Sequence, residues 1–342
     1  MTGSIVDALS AVEDPALGED IVSLGLVGHV ERRGETAHVE LALGAPYSPA
    51  ETELLVSVRE RIRQAGYQPE VTIAIDDGTS TGRTDAPPLL AFGSGKGGVG
   101  TSTVAVNVAV AMAGRGARVG LLDADIHGPS LAHMTGAASG SLPSTLGETV
   151  APIDGHDLQL ASVEFRAEGR PPLARADAAR AVVGDLWEAL AWADRDYVVV
   201  DLPSGVGEAQ LTVLERLPVA GAVVVTTPQE VAVANARETI ARCRDCGVPV
   251  LGVVENMRTF VCPDCDGVHD EFDTPDSELL AAEFDAPLLK QLPLEPSVRE
   301  RGGRPVVLDD SGLVAGKLSQ LARAVMDRLG ETRRRAHADR TE

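Results

Sequence analysis

The chain has 342 residues and a formal net charge of −21, with 51 acidic against 30 basic side chains, and only Lys96, Lys290 and Lys317 are lysines. A surface of this sign repels phosphate backbones and excludes non-specific nucleic-acid binding. The length allows two domains, and no apolar run approaches the ~18 residues that a membrane span needs.

No signal peptide precedes the first acidic residues, so the expectation is a cytoplasmic protein with no membrane partner. All four cysteines, Cys243, Cys246, Cys262 and Cys265, fall in one short stretch. In a reducing compartment disulfides are rare, so clustered cysteines point to metal or redox chemistry.

Residues 1–77 read as a small α+β domain. Residues 36–43 alternate, with Val39, Leu41 and Leu43 on one face, and Arg33-Gly34 supplies a hairpin turn. Residues 49–64 have amphipathic helical spacing, and 71–75 form another strand. Residues 78–88 are polar and aperiodic and end in Pro87-Pro88, which is a linker. From 89 to 330, strands recur with helices between them, at 89–93, 118–123, 158–162, 197–201, 221–226, 248–254 and 288–292. Unbroken apolar runs such as Val198-Val199-Val200 suit a mostly parallel sheet buried on both faces and flanked by helices, an α/β fold. Residues 136–148 read as a loop, and 331–342, rich in arginine, as a disordered tail.

The most specific motif runs from Gly95 to Thr103: Gly95-Lys96-Gly97-Gly98-Val99-Gly100-Thr101-Ser102-Thr103. It lies between a short buried strand and a Val/Ala-rich helix, the setting in which loop amides and a helix N-terminus converge on one phosphate. Against the pattern G-x-x-x-x-G-K-[ST], threonine stands at position 101 where lysine is expected. The Ser102 hydroxyl can reach Mg²⁺ there, and Asp201, ending an apolar strand, can hold that ion's water shell. Asp125 lies two residues beyond a strand end and projects into the same crevice.

Cys243-x₂-Cys246 and Cys262-x₂-Cys265 have zinc-ribbon spacing. The seven-residue strand expected between them spans ~23 Å at ~3.3 Å per residue, and metal–sulfur bonds of ~2.3 Å cannot bridge its two ends. Cys262 and Cys265 are therefore the candidate metal ligands. Cys243 and Cys246 read as small helix-end residues. His269 is close enough in sequence to be a third ligand but reads as a solvated loop histidine.

The loop, Leu121-Leu-Asp-Ala-Asp-Ile-His-Gly-Pro-Ser130, Tyr197-Val-Val-Val-Asp-Leu-Pro-Ser-Gly-Val-Gly-Glu208, Thr226-Thr-Pro-Gln-Glu-Val-Ala232, Gly252-Val-Val-Glu-Asn-Met257 and Cys262-Pro-Asp-Cys265 together resemble the MinD/ParA-like deviant P-loop ATPases. More narrowly, they resemble the Mrp/ApbC iron–sulfur cluster carriers. Val12-Glu-Asp-Pro-Ala-Leu-Gly and 20–27 resemble the small domain of iron–sulfur assembly factors, with Ser48 where that domain commonly has cysteine.

The resemblance implies a P-loop fold binding ATP and Mg²⁺ along the whole loop from Gly95 to Thr103. Asp125 positions the attacking water, Lys96 reaches the partner subunit's nucleotide in a sandwich dimer, and Asn256 and Pro293 border the adenine. It also implies a homodimer holding a four-iron cluster between two Cys262/Cys265 pairs, with apo iron–sulfur proteins and assembly factors as partners. Whether the chain is an ATP hydrolase turns on Thr101, which carries no charge to stabilise phosphoryl transfer. The rival readings are a non-hydrolysing nucleotide-binding adaptor and a MinD/ParA-like positioning ATPase.

Overall fold

The computed structural model describes residues 3–74, 87–125, 128, 130–136, 148–150, 158–162, 183–184, 187, 192, 194–265, 267–270, 276–295, 298, 303–309 and 312–341. The chain divides into two compact units: Met1–Asp85 with Met326–Glu342, and Ala86–Val325. The expected linker at 78–88 and loop at 136–148 lie almost wholly outside the described residues.

The first unit has a three-stranded sheet, β1 (Val27–Arg33), β2 (Thr36–Ala42) and β3 (Gln68–Ala74), with β2 in the middle. β1 pairs antiparallel and β3 parallel to β2. Alternation along β2 buries Ala37, Val39 and Leu41, which pack with Ile5 and Leu9 of α1 (Gly3–Leu9) and Val58 and Ile62 of α2 (Pro49–Gln64). α2 begins where Ser48 Oγ accepts the Glu51 N–H at 3.2 Å and proline takes the first turn. Ser48 is wholly buried and donates to Asp327 Oδ1 at 2.6 Å, so its side chain is committed to holding the helix start.

Residues 331–341 of the expected disordered tail 331–342 are helical. A helix runs over Leu313–Thr341, and from Met326 onward it belongs to the first unit. Arg334 is only 2% exposed. Its guanidinium donates to Asp14 Oδ2 at 2.5 Å and Glu51 Oε1 at 2.7 Å. Glu51 also accepts the Gly44 and Ala45 amides, at 3.1 and 2.8 Å. Arg333 donates to the Gly44 carbonyl at 3.0 Å, and Ala338 packs on the core. Local composition reads charge as solvation. Here the neutralising carboxylates lie 320 and 283 residues earlier in the chain, beyond any local pattern.

The second unit is built on an eight-stranded sheet in the order β13-β10-β9-β4-β8-β5-β7-β6. Its strands are β4 (Leu89–Gly93), β5 (Val119–Asp123), β6 (Glu148–Val150), β7 (Leu158–Ala161), β8 (Tyr197–Asp201), β9 (Val219–Thr226), β10 (Val250–Glu255) and β13 (Leu288–Gln291). All neighbours run parallel except β6, which pairs antiparallel to β7. Three residues are too few to show a strand period, so sequence reading missed β6. β11 (Thr259–Val261) and β12 (Val268–Asp270) form a separate antiparallel hairpin.

The helices of this unit include α3 (Thr101–Ala113), α4 (Leu131–Met134), α5 (Glu208–Arg216), α6 (Glu230–Asp245) and α7 (Asp276–Glu283). α3 is buried almost all round, as its unbroken Val/Ala content requires. Its one interior amide is satisfied: Asn107 donates to the Thr103 carbonyl at 2.7 Å and accepts the Val307 N–H at 2.9 Å. Parallel register sets Phe92 beside Asp201 and Asp123 beside Asp201. The carboxyl ends of β4, β8 and β5 thus open on one crevice, where ligands bind in such sheets.

Candidate nucleotide and metal site

The loop after β4 has the backbone of a phosphate cradle. Gly98 and Gly100 take φ of 83° and 90°, left-handed values that suit glycine. A side chain at Gly95 would collide with the Asn235 carbonyl of α6, and one at Gly100 with the Asn256 amide. Asn256 Nδ2 donates to the Val99 carbonyl at 2.8 Å, so this residue braces the loop directly, a contact its sequence context did not reveal. From the other side, Gln210 Nε2 and the Gly205 N–H reach the Ser94 carbonyl at 3.3 and 3.0 Å, tying the segment after β8 to the loop. Thr101 opens α3 and is buried.

The three carboxylates of the crevice differ sharply. Asp201 is buried, with Oδ1 unpartnered among the described residues. Burial drives its pKa well above the ordinary carboxylate range, the Ser102 hydroxyl bond opposes this, and the charges of Asp123 and Asp125 add to the rise. Asp123 is pushed up to about 6, again chiefly by burial. It accepts the Ser130 and Leu131 amides at 3.1 and 3.3 Å and the Ser162 hydroxyl at 3.2 Å, so it organises the segment leading into α4. That role was not foreseen; the only signal was an acidic strand end. Asp125 sits half-exposed, its N–H on Asp123 Oδ1 at 3.1 Å and its Oδ1 accepting the Gly128 N–H at 3.2 Å. An orphaned buried oxygen on Asp201 beside the Ser102 hydroxyl fits a hydrated divalent cation, whose charge would offset the repulsion among these groups. Ile126, His127 and Pro129 of the same segment lie outside the described residues.

Lys96 Nζ donates to Gln229 Oε1 at 2.8 Å. Pro293 is buried just after β13, and its neighbours Leu292 and Leu294 bond the backbone of Arg258 and Thr259. Glu255, wholly buried at the end of β10, accepts from Gln291 Nε2 at 2.8 Å and leaves Oε1 unpartnered among the described residues.

The cysteines fall into two pairs with different surroundings. Cys243 is buried near the end of α6 with its thiol pushed up to about 12 by burial, and Cys246 caps that helix. Neither environment favours a thiolate. Cys262 and Cys265 lie between β11 and β12, on the other side of β10 in the chain. With His269 they form a group whose ligand atoms all lie within 4.8 Å of one another, the donor set of a thiophilic metal. His269 is exposed, as expected, but it lies on a strand rather than in a loop: it sits on β12, paired with Phe260.

Residues 87–326 match the family described as NUBPL iron-transfer P-loop NTPase, and residues 3–73 match an iron–sulfur cluster assembly protein family. An iron–sulfur cluster carrier protein of Deinococcus radiodurans is 38% identical over 332 residues, covering 95% of this chain and 93% of that one. One from Escherichia coli K12 is 35% identical over 320 residues, covering 89% and 85%. Among solved structures, a nucleotide-binding protein of Archaeoglobus fulgidus in complex with ADP is 30% identical, with a TM-score of 0.55 over 70% of this chain and 88% of that one. MinD of Pyrococcus horikoshii with Mg-ADP, 19% identical with a TM-score of 0.54 over 69% and 94%, shares the fold. The chain belongs to the Mrp/ApbC family of iron–sulfur cluster carriers, on the MinD/ParA-like P-loop ATPase fold with an iron–sulfur-assembly-like domain ahead of it.

Proposed function

We propose that the protein is an ATP-binding carrier that receives an iron–sulfur cluster, holds it between two copies of itself and passes it to apo-proteins in the cytoplasm. The observation that carries this reading is the grouping of Cys262, Cys265 and His269 at the tip of a hairpin that follows the nucleotide-side end of β10. Two thiolates from one chain leave a four-iron cluster half-ligated, and a second copy supplies the other two. The membership of the chain in a family of carriers supports the same cargo.

The cradle supports nucleotide binding. The loop amides from Gly97 to Ser102 and the start of α3 would receive the phosphates, and Ser102 and Asp201 would hold Mg²⁺, which would supply charge neutralisation for phosphoryl transfer. Asp125 orients water, while Asp123 fixes the segment that carries it. Lys96 leaves Gln229 to reach the nucleotide of the second copy, so nucleotide state and dimer geometry are linked. β10 ends at Glu255, Asn256 braces the P-loop and β11 begins at Thr259, so a short continuous path joins the loop to the hairpin.

Thr101 favours slow hydrolysis, with ATP acting mainly as a conformational ligand. The adaptor reading draws on this residue and differs in holding no cluster. Transfer separates the two. Cluster-loaded protein mixed with an apo-dehydratase that needs a four-iron cluster should restore its activity, faster than free iron and sulfide do. No restoration above that background would leave the adaptor.

A further inference from the structure

We propose that His269 completes a metal site within a single chain, so that one copy binds one thiophilic divalent cation through Cys262, Cys265 and His269 before any second copy is present. The proposal rests on the reading of Cys262 and Cys265 as metal ligands and adds a third ligand to it. In the β11–β12 hairpin His269 pairs with Phe260 and Val268 with Val261, and the Cys262 N–H closes the ladder on the Gly267 carbonyl at 2.9 Å. Residues paired across a ladder share a face, and so do residues two apart in a strand. Cys262, two beyond Phe260, therefore lies on the same face as His269, as diagonal neighbours. Cys265 returns over that face from the turn, and the three ligand atoms fall within 4.8 Å of one another.

Gly267 supplies an independent indication. Its backbone is not left-handed, so no conformational demand explains the missing side chain. A β-carbon there would lie 3.2 Å from Cys265 Sγ and 3.3 Å from His269 Nε2, in the space between the two ligands. The sequence keeps that space empty of protein.

Two thiols and an imidazole are the donors that zinc, cobalt and ferrous iron take in tetrahedral sites, with metal–sulfur bonds of ~2.3 Å and metal–nitrogen bonds of ~2.0–2.1 Å. Ligand atoms around such a centre sit ~3.3–3.8 Å apart, so the group needs only a small closure, with Cys265 and His269 exposed and Cys262 half-buried. Binding releases the two thiol protons, and the fourth position stays open for water or an incoming sulfur ligand. A bridging cluster needs just the two cysteines of each chain. His269 is therefore the residue that distinguishes an ion held by one copy from a cluster held by two.

Cobalt(II) titration of the reduced full-length chain under anaerobic conditions, at concentrations where sedimentation shows a monomer, tests the site without reference to any cluster. One cobalt per chain is expected, with tetrahedral d–d bands and thiolate charge-transfer bands. His269→Ala should weaken cobalt at least tenfold and shift the d–d bands. His269→Cys should restore the affinity and raise the charge-transfer intensity by about half, as a third thiolate is added to two. Unchanged affinity and spectrum in His269→Ala, or one cobalt per two chains with dimerisation, would overturn the proposal.

Discussion

Lys96 Nζ and Gln229 Oε1 form a 2.8 Å hydrogen bond within one chain. The lysine that the dimer reading sends to the second copy's nucleotide thus has a resting partner of its own, just before α6. A hydrogen bond of this kind contributes ~0.5–1.5 kcal/mol, enough to bias the ammonium without trapping it. Lys96→Ala should abolish ATP-dependent dimerisation while leaving Mg-ATP binding to the single chain within a few fold. Gln229→Ala should strengthen dimerisation by about two- to tenfold, the equivalent of the lost restraint. Sedimentation velocity with and without Mg-ATP measures both, and dimerisation of the Lys96 variant at wild-type affinity contradicts the role.

On the proposed reading, Thr101 limits hydrolysis. Loop amides and Mg²⁺ would suffice to bind ATP, but the transition state needs fixed charge at the γ-phosphate, and losing one such contact costs ~2.7–4 kcal/mol, or ~10²–10³ in rate. Thr101→Lys should therefore raise steady-state phosphate release at least tenfold at saturating Mg-ATP. The start of α3 is already formed at this position, so the change asks for a side chain and no refolding. A wild type that turns over readily, with no gain in the variant, means another group supplies the charge.

Asp123 makes stability depend on pH in an unusual direction. Its pKa stands at about 6 against 3.8 for the free group, so the folded protein retains a proton that the unfolded chain has lost between those values. The contribution is present below ~3.8 and is lost as pH rises toward ~6, amounting to up to ~3 kcal/mol at 1.36 kcal/mol per unit. Asp123→Asn, neutral at every pH, should gain on the wild type in nucleotide- and magnesium-free protein as pH climbs from 4 to 7. Urea unfolding at a series of pH values measures the difference. Parallel profiles for the two proteins contradict the assignment.

Arg334 anchors the C-terminal helix in the first unit through Asp14 and Glu51. Removing one partner from a buried ion group typically costs ~3–5 kcal/mol, because the remaining charges are left without compensation. Arg334→Ala should lower the unfolding midpoint and expose the amides of 331–341 to hydrogen exchange. Retained protection there would show that the helix stands without the ion group.

Most of the candidate site is marked in the sequence by local signals. The P-loop, the acidic strand ends at Asp123 and Asp201, the start of α2 at Ser48-Pro49 and the two cysteine pairs each sit in a few consecutive residues with fixed spacing. What stayed hidden depends on distant partners. Asn256 meets Val99 across 157 residues, and Arg334 meets Asp14 across 320. His269 read as a loop residue because the β11–β12 ladder that places it beside the cysteines has only three residues a side. Ser48 showed as a departure from a cysteine pattern; its bond to Asp327, across 279 residues, shows what the hydroxyl does instead.

Anaerobic reconstitution with iron and sulfide, followed by iron and sulfide analysis and sedimentation, tests the central claim most directly. The wild type should become a brown dimer with about four iron and four sulfide per pair of chains. Cys262→Ser and Cys265→Ser should each lose it, while Cys243→Ala with Cys246→Ala, which alters a buried helix end and its cap, should keep it. A colourless monomer, or equal loss of iron from both cysteine pairs, would contradict a cluster held between two copies at the hairpin tip.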